Sequence, residues 1–561
     1  MTSARANKLL LLGASLTTLV LLVMAAVREN ALREWRRTQR AYRAVLPADQ
    51  AAGFDIRLRQ VYVPALRASD RCVSCHVGMA PGESGLDGKG TLFAKHPDVV
   101  HDPLQYGCVV CHGGQGRATE RADAHGTVPH WPEPMLPRAF AFAGCGSCHT
   151  HLAVPNLAEV ERGRALVDRY DCLACHTIDG RGGTLRPGGA EGVVAPALSR
   201  VGAAGVDGAW YAGHLARHAA AETGPWRTSV GEIPAAERAA IETYLASRVG
   251  APGLVEAKAV FHSLGCRGCH KVAGVGGDDG PDLTHVGEKD PGRIDFRHVP
   301  GERTVASWFA EHFRAPATLA PGSQMPVLGL DERHIDQLVR YLLSLRQSDF
   351  PEGLWPKDRI RAERFGEREF ATDGATLYGT FCAACHGPRG EGMRYPGMAA
   401  FPAIGNPDFL AVASDRFLAA TVTHGRPGRR MPAWGEKEGG LRPAEIEAVV
   451  AYVRTLGGVP SPAETEPARW ARGDAASGGR LYAEACASCH GAQGEGREGP
   501  ALANPGLLRH ATDRYLVETI RGGRLGTSMP AFGAASPAHR LLADPEIESI
   551  VTFMRTWEGS S

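Results

Sequence analysis

One short pattern, Cys-x-x-Cys-His, occurs seven times in this chain of 561 residues and accounts for all fourteen of its cysteines. No cysteine is left for a structural disulfide or for a reactive thiol outside the pattern. The cysteines are Cys72, Cys75, Cys108, Cys111, Cys145, Cys148, Cys172, Cys175, Cys266, Cys269, Cys382, Cys385, Cys486 and Cys489. The histidines that close the seven motifs are His76, His112, His149, His176, His270, His386 and His490.

This pattern predicts covalent attachment of haem c. Two cysteines three positions apart lie together on a helical turn, and the next residue places an imidazole on the same side. Both thiols can then bond to the haem vinyl groups while the histidine binds the iron. A zinc site or a redox dithiol would explain one isolated motif, but zinc does not need a histidine after every cysteine pair. Thioredoxin-like dithiols do not occur in sevens. We therefore expect seven haems, with the fourteen cysteines as attachment points and the seven histidines as axial ligands.

Composition limits the remaining function classes. The formal charge is +1, and no basic run is long enough to predict binding of nucleic acid. A chain of this length with 43% hydrophobic residues can form several cores. Its 69 glycines and 38 prolines favour small loop-rich modules.

The N-terminus predicts a membrane anchor. Arg5 and Lys8 precede an apolar run over residues 9–27 that is long enough to span a bilayer as a helix. A cleaved signal peptide has a shorter apolar core of about 7–15 residues. The arginines that follow are unusual, because positive charge normally stays on the cytoplasmic side. We expect residues 1–45 to form an uncleaved anchor in the inner (cytoplasmic) membrane and a connecting helix, with the haem domains in the periplasm or otherwise outside the cytoplasm.

Four of the motifs lie in repeats of about a hundred residues. The repeats cover residues 155–250, 251–348, 365–458 and 470–558. Each opens with a short helical stretch before the cysteines and ends with a helix whose apolar residues recur with a period near 3.6. The closing helices share an aromatic residue that we expect to pack on the first helix: Tyr244, Tyr341, Tyr452 and Phe553.

These repeats resemble class I c-type cytochromes, small helical domains wrapped around one haem. The resemblance implies that a loop methionine before the last helix is the second axial ligand. Three repeats carry this methionine in similar sequences, as Met325 in SQMPVLG, Met431 in RRMPAWG and Met529 in TSMPAFG. The segments 349–370 and 459–473 are predicted linkers that let the last domains shift.

The repeat with the Cys172 motif departs from this pattern. Aligned on the next repeat, it places His214 opposite His312, and Arg227 in the position of Met325. No methionine occurs between Met135 and Met325. The haem expected at this motif therefore lacks its thioether ligand.

Three explanations remain open for this sixth ligand. His218 or His214 binds the iron, a side chain of the preceding domain reaches in, or the iron is five-coordinate. The counterpart of His214, His312, stands in a repeat that already has its methionine, so we favour His218 as the ligand.

The first three motifs lie only 36 and 37 residues apart, with little helical periodicity between them. Residues 46–154 resemble compact multihaem cytochromes in which each iron has two histidine ligands. The resemblance implies three distal histidines, and the segment has more candidates than it needs: His96, His101, His125, His130 and His151. We favour His96, His125 and His130.

The sequence thus predicts a mainly α protein with an N-terminal membrane helix, a loop-rich trihaem domain and four small helical cytochrome c domains in tandem. Methionine opposite histidine raises a haem potential, and two histidines leave it lower. The order of ligands along the chain suits electron transfer by the cytochrome c subunit of a respiratory, quinol-oxidising complex. Its partners would be a cytochrome b-type or quinol-oxidising subunit and a redox acceptor. No catalytic residue is predicted.

Two alternatives stay open. A terminal-oxidase subunit would differ from this function only in the direction of electron transfer. A haem enzyme would use the Cys172 site as an open iron for reduction of peroxide or nitrogen oxides, with Arg227 as a distal donor. The sequence offers no second distal acid or base for such a reaction.

Overall fold

The computed structural model describes most of the chain and confirms a mainly α protein. The described residues are 3–86, 88–97, 99–183, 195–220, 232–346, 350–537 and 539–559, without the side chains of 218–220 and 559. Within these ranges the strands form two short antiparallel pairs, Val61–Val63 with Ala68–Asp70 and Thr177–Ile178 with Arg181–Gly182. Helices and turns form the rest of the framework.

The described chain clusters into two compact units. One unit consists of Met1–Cys148, Gly287–Trp308 and Arg346–Pro356. The other consists of His149–Val286, Phe309–Leu345 and Lys357–Ser561.

The N-terminal helix covers Ser3–Val27 and buries none of its side chains. It is long and apolar enough to cross a membrane, as the sequence predicts. A short π-helical segment, Arg28–Leu32, and a second helix, Glu34–Val45, follow it. The second helix packs against the protein through Trp35 and Tyr42, which are buried.

The segment with the first three motifs is built from short elements, as predicted for a loop-rich domain. Its helices are Ala48–Gly53, Pro103–Tyr106, Val109–His112 and Arg121–Ala124, and its 3₁₀ turns are Pro64–Leu66, Cys72–Ser74, Val77–Met79 and Arg138–Ser147. The buried Tyr42 ring lies 5.2 Å from Phe54 and 5.4 Å from Phe93, so the connecting helix supplies part of a small apolar core.

Each of the four repeats has a first and a last helix that pack together. These pairs are Leu157–Arg169 with Ala235–Ala246, Pro252–Ser263 with Glu332–Ser344, Gly374–Phe381 with Pro443–Gly457, and Ala475–Ala485 with Asp544–Arg555. Between them lie Gly208–Ala220, Val305–Arg314, Pro316–Leu319, Pro407–Val412, Asp415–His424, Pro505–His510 and Asp513–Gly522. The motif turns are Cys172–Ala174, Cys266–Gly268, Ala383–His386 and Ala487–His490. Other short elements are Val201–Ala204, Val286–Glu288, Pro291–Arg293, Glu352–Leu354, Lys357–Phe365 and Thr556–Gly559.

In the first, third and fourth repeats the first and last helices cross in backbone contact at a glycine. A Cβ atom added to Gly374 would lie 2.1 Å from the Ala448 carbonyl oxygen, and one added to Gly478 would lie 1.9 Å from that of Ser549. No larger residue fits such a crossing without displacing a helix. The sequence therefore places glycine where the two backbones approach most closely.

The packing predicted for the aromatic residues of the last helices is confirmed. Their rings contact rings of the first helices, with centroid distances of 4.7 Å for Phe261–Tyr341, 5.3 Å for Tyr378–Tyr452 and 5.6 Å for Tyr482–Phe553. Tyr244 reaches the corresponding crossing, where its Cβ would lie 2.7 Å from a Cβ added to Gly163.

The two predicted linkers differ from the expectation of loose connections. Near the end of the first linker, the Glu369 side chain is only 12% exposed and forms ion pairs with Lys258 and Arg267. In the second, the backbone N–H groups of Trp470 and Ala471 donate to the carboxylate of Asp513 at 2.6 and 2.8 Å. Linker composition did not reveal these contacts, because each depends on a partner far away in sequence.

Candidate haem-binding sites

The motif backbone brings both thiols and the imidazole to one turn, as the sequence predicts. The backbone N–H of the histidine donates to the backbone carbonyl of the first cysteine at 2.8–3.0 Å. This holds for the motifs that begin at Cys72, Cys108, Cys172, Cys266, Cys382 and Cys486. This is the hydrogen bond of one helical turn. It fixes the spacing that attachment of one haem through two thioethers requires.

A second hydrogen bond orients the histidine in all four repeats. Nδ1 lies 2.8 or 2.9 Å from a proline carbonyl oxygen in the pairs His176–Pro196, His270–Pro281, His386–Pro402 and His490–Pro500. A carbonyl only accepts, so Nδ1 carries the proton and Nε2 keeps its lone pair for a metal. The Cys172 repeat therefore has the same proximal arrangement as the three repeats that carry a methionine.

Glycine also packs against the proximal ring. A Cβ atom at Gly280 would lie 2.4 Å from Cε1 of His270, and one at Gly499 would lie 2.7 Å from Cε1 of His490. The backbone thus approaches one side of each ring closely and limits its rotation. The donor set, the proton position and this close packing all fit an axial histidine of haem.

The methionine loops of the last two repeats have the same construction. The helices Asp415–His424 and Asp513–Gly522 are followed by Gly425 and Gly523 in left-handed conformations, with φ of 63° and 64°. The next residue donates its N–H to the methionine carbonyl, from Arg426 to Met431 at 2.8 Å and from Arg524 to Met529 at 3.0 Å. Both methionine side chains are partly buried against the apolar core.

Met325 shares one feature of these loops. Its backbone N–H donates to the Ser323 hydroxyl oxygen at 3.2 Å, as that of Met529 donates to the Thr527 hydroxyl oxygen at 3.1 Å. The hydroxyl residue two positions earlier holds each methionine in a tight turn. The sequences Ser-Gln-Met and Thr-Ser-Met supply the hydroxyl residue that this turn requires.

Two of the predicted distal histidines lie opposite motif histidines. The ring centroids of His76 and His125 are 6.5 Å apart, and those of His112 and His96 are 6.1 Å apart. Burial lowers the pKa values of His76, His112 and His125, which keeps the rings neutral and able to bind a metal.

These distances fit an iron between the rings. Two imidazoles bound through nitrogen to opposite sides of one metal have centroids about 6 Å apart, since each metal–nitrogen bond is about 2.0–2.1 Å long. Of the other candidates, His101 contacts the Tyr106 ring at 5.1 Å, and His130 is exposed with φ of 68°.

The Cys172 repeat contains a third pair of this kind. The His214 ring centroid lies 6.1 Å from that of His176, and the His214 ring stacks on Trp210 at 5.1 Å with an angle of 4°. The side chains of His218 and Arg227 lie outside the described residues. Sequence reasoning ranked His214 below His218. The Trp-x-x-x-His spacing puts both rings on one helix face, but Trp308 and His312 share this spacing in a repeat with a methionine, so it could not decide between the two histidines.

Consecutive motifs are in direct contact at two places. The neighbouring Cys108 thiol lowers the pKa of the Cys72 thiol, and the neighbouring Cys385 thiol does the same to Cys269, so each pair of thiols lies close together. Next to the first pair, the buried Asp70 carboxylate accepts from the N–H groups of Cys108 and Val109. Sequence reasoning missed Asp70, because nothing local distinguishes it from an exposed aspartate.

The loop before Met431 contacts both neighbouring repeats. Arg430 forms an ion pair with Asp279 of the preceding repeat, and Arg429 donates to the carbonyl of Glu495 in the following one. In addition, Asn504 of the last repeat donates to the Pro427 carbonyl at 2.8 Å. The ligand loop of one repeat is therefore part of the interface with the next.

A buried charge cluster adjoins the motif that begins at Cys266. Glu369 pairs with Lys258 and with Arg267, which lies between the two cysteines of that motif, and Lys258 also donates to the Leu152 carbonyl at 2.9 Å. Burial alone would raise the pKa of Glu369, but the charges of Lys258 and Arg267 outweigh it and lower the pKa to about 2.

Comparison with known proteins places the last three repeats among the cytochromes c. The family model "Cytochrome c" matches residues 254–346 and 371–457, and the model "Cytochrome C oxidase, cbb3-type, subunit III" matches residues 473–554. A FixP subunit of cbb3-type cytochrome c oxidase from Bradyrhizobium sp. (strain ORS 278) is 36% identical over 171 residues, which are 28% of this chain and 53% of that protein. A CcoP subunit from Azospirillum sp. (strain B510) is 30% identical over 239 residues, which are 39% of this chain and 71% of that protein.

The chain spans about half the length of the first of these relatives. Among solved structures, the reducing HAO-like protein complex of Kuenenia stuttgartiensis covers 33% of this chain at 17% identity, and 94% of that chain is matched. The TM-score of 0.23 is too low to indicate a common fold.

Proposed function

This chain belongs to the multihaem c-type cytochromes, the family that includes the CcoP and FixP subunits of cbb3-type oxidases, and we propose that it is a membrane-anchored heptahaem electron carrier. In this role it is the cytochrome c subunit of a respiratory membrane complex. All seven motifs carry haem c, attached through the fourteen cysteines, and the motif histidines are axial ligands.

The observation that carries this proposal is the contact between motifs. The thiols of Cys72 and Cys108 lie close enough for one to lower the pKa of the other, and so do those of Cys269 and Cys385. Bound haem supplies iron that gains and loses one electron. Electron tunnelling weakens steeply with distance, so attachment sites in contact favour transfer along the chain over separate reactions at isolated sites.

The residues around each site hold its ligands in place for this role. The proline carbonyls keep Nε2 of the motif histidines available, and the glycine-started loops present Met431 and Met529. Methionine ligation gives the last repeats higher potentials than pairs of histidines give the first domain. Electrons therefore move from the N-terminal domain towards the C-terminal repeats.

The partners follow from the anchor. The helix Ser3–Val27 is long and apolar enough to span a bilayer, which supports a membrane anchor. In this proposal the membrane is the cytoplasmic membrane and the haem domains lie in the periplasm. One helix cannot itself form a quinol site with b-type haems, so a cytochrome b-type or quinol-oxidising subunit is the donor. The names of the relatives favour a second candidate, a subunit of a terminal oxidase, in which the partner is the acceptor.

The experiment is purification of the full-length protein from membranes with its partners. We expect seven covalent haems per chain by mass spectrometry and haem assay, together with a co-purifying subunit that contains haem b and oxidises quinol. Copper and oxygen reduction in the purified complex would select the terminal-oxidase candidate. Turnover of peroxide or of nitrogen oxides by the isolated chain would contradict an electron carrier and support a haem enzyme.

A further inference from the structure

The Cys172 repeat has no methionine at the position of the other ligand loops, yet a histidine faces its motif histidine. We infer that His214 is the second axial ligand of the haem attached to Cys172 and Cys175. This site then has two histidine ligands, although its domain is built like those with methionine. The inference rests on the proposed attachment of haem at every motif.

The distance between the two rings is the first argument. The centroids of His176 and His214 are 6.1 Å apart, the same separation as for His112 and His96. It is also the separation of about 6 Å expected for two imidazoles on opposite sides of one metal. The planes of His176 and His214 differ by 58°, which rotation about the axis through the metal permits.

Both rings are held in place by neighbours. The Pro196 carbonyl accepts from Nδ1 of His176 at 2.8 Å, which leaves Nε2 of that ring to bind the metal. On the other side, Trp210 stacks on His214 one helical turn away, with nearly parallel rings. Neighbouring groups therefore orient both rings of the pair.

The helix that carries His214 is fixed as well. This helix, Gly208–Ala220, is held at its start by Asp207. The Asp207 carboxylate accepts from the Trp210 backbone N–H at 2.9 Å, and its carbonyl accepts from the Tyr211 backbone N–H at 3.1 Å. The side chain of Tyr211 is buried in the core of the repeat. This packing sets which face of the helix lies towards His176.

The competing residues are less suited. Arg227 takes the place of the methionine in sequence, but a guanidinium stays protonated and has no lone pair for a metal. His218 comes one helical turn after His214 on the same helix, so the two histidines cannot share one position opposite His176, and the His214 ring occupies that position. His312, the counterpart of His214, lies in a repeat whose loop supplies Met325. That repeat therefore does not need a histidine as second ligand, whereas the Cys172 repeat does.

The test uses the full-length holoprotein, fully reduced, and counts carbon monoxide bound per chain. Carbon monoxide takes an open ferrous haem but competes poorly with a firm sixth ligand. We expect His214→Ala to bind one more carbon monoxide per chain than wild type, and the matched His218→Ala variant to bind no more than wild type. One extra carbon monoxide in His218→Ala, or none in His214→Ala, would overturn the assignment.

A second variant keeps the test decisive if His214→Ala does not fold. His214→Met keeps a ligand, and we expect it to raise the midpoint potential of one haem, because methionine opposite histidine favours the reduced iron. An unchanged set of potentials would reject His214. Mass spectrometry of the peptide with Cys172 and Cys175 separates the two claims, since a peptide without haem contradicts the proposed function rather than the ligand.

Discussion

Arg267 and Glu369 form a buried ion pair across 102 positions of sequence, and it joins a haem motif to a predicted linker. Arg267 lies between the two cysteines of its motif and is 1% exposed. Lys258 completes the cluster, and the Val154 N–H donates to the Glu369 carbonyl at 2.6 Å. The cluster therefore connects the segment before the first repeat, the second repeat and the start of the third.

We expect Glu369→Gln to destabilise the repeats by about 3–5 kcal/mol, because removing one partner leaves two buried cations without their counter-charge. Urea unfolding of the full-length holoprotein in detergent measures this loss. The matched control is Asp295→Asn, which removes an exposed carboxylate paired with Arg297. Equal stability of Glu369→Gln and wild type would show that the cluster does not hold the repeats together.

The same carboxylate predicts an acid transition. Its pKa is lowered from 4.5 to about 2, so its contribution to stability is complete above about 4.5 and is lost as the pH falls through about 2. We expect the difference in unfolding free energy between wild type and Glu369→Gln to be constant near neutral pH. Below about 4.5 it should shrink steadily. A difference that does not change with pH would contradict the lowered pKa.

The helix crossing in the third repeat predicts opposite effects at two glycines of one helix. Gly374→Ala places a Cβ 2.1 Å from the Ala448 carbonyl oxygen, whereas Gly379→Ala meets no atom within 4 Å. Overpacking should cost Gly374→Ala about 1–3 kcal/mol. Gly379→Ala should be neutral or stabilise the helix by up to about 1 kcal/mol. Urea unfolding of both variants checks this, and equal stabilities would mean that the helices do not touch at Gly374.

Local patterns of the sequence were sufficient to predict much of this fold. The membrane helix, the helix pairs of the repeats and the packing of Tyr341 and Tyr452 follow from runs and periods of about twenty residues or fewer. The attachment cysteines follow from the motif itself. The position of His214 opposite His176 did not follow from a local pattern, because a histidine on a helix carries no local sign of what it faces. Glu369 did not either, since its partners lie over a hundred residues away and a carboxylate in a polar segment is normally exposed.

The methionine loops predict how single potentials respond to a ligand change. Met431→His should lower the midpoint potential of one haem by a part of the range of about 0.8 V that axial ligands span, because a second histidine favours ferric iron. Met393 belongs to the same repeat but lies outside the loop, so Met393→His is the matched control and should leave all potentials unchanged. A spectroscopic redox titration of the full-length protein measures both variants. The shift should be confined to one haem, since Gly425 and Arg426 hold the Met431 loop through the backbone, which the substitution retains. Equal potentials in Met431→His and wild type would show that Met431 is not a ligand. Methionine ligation could then not be the reason for a higher potential in this repeat.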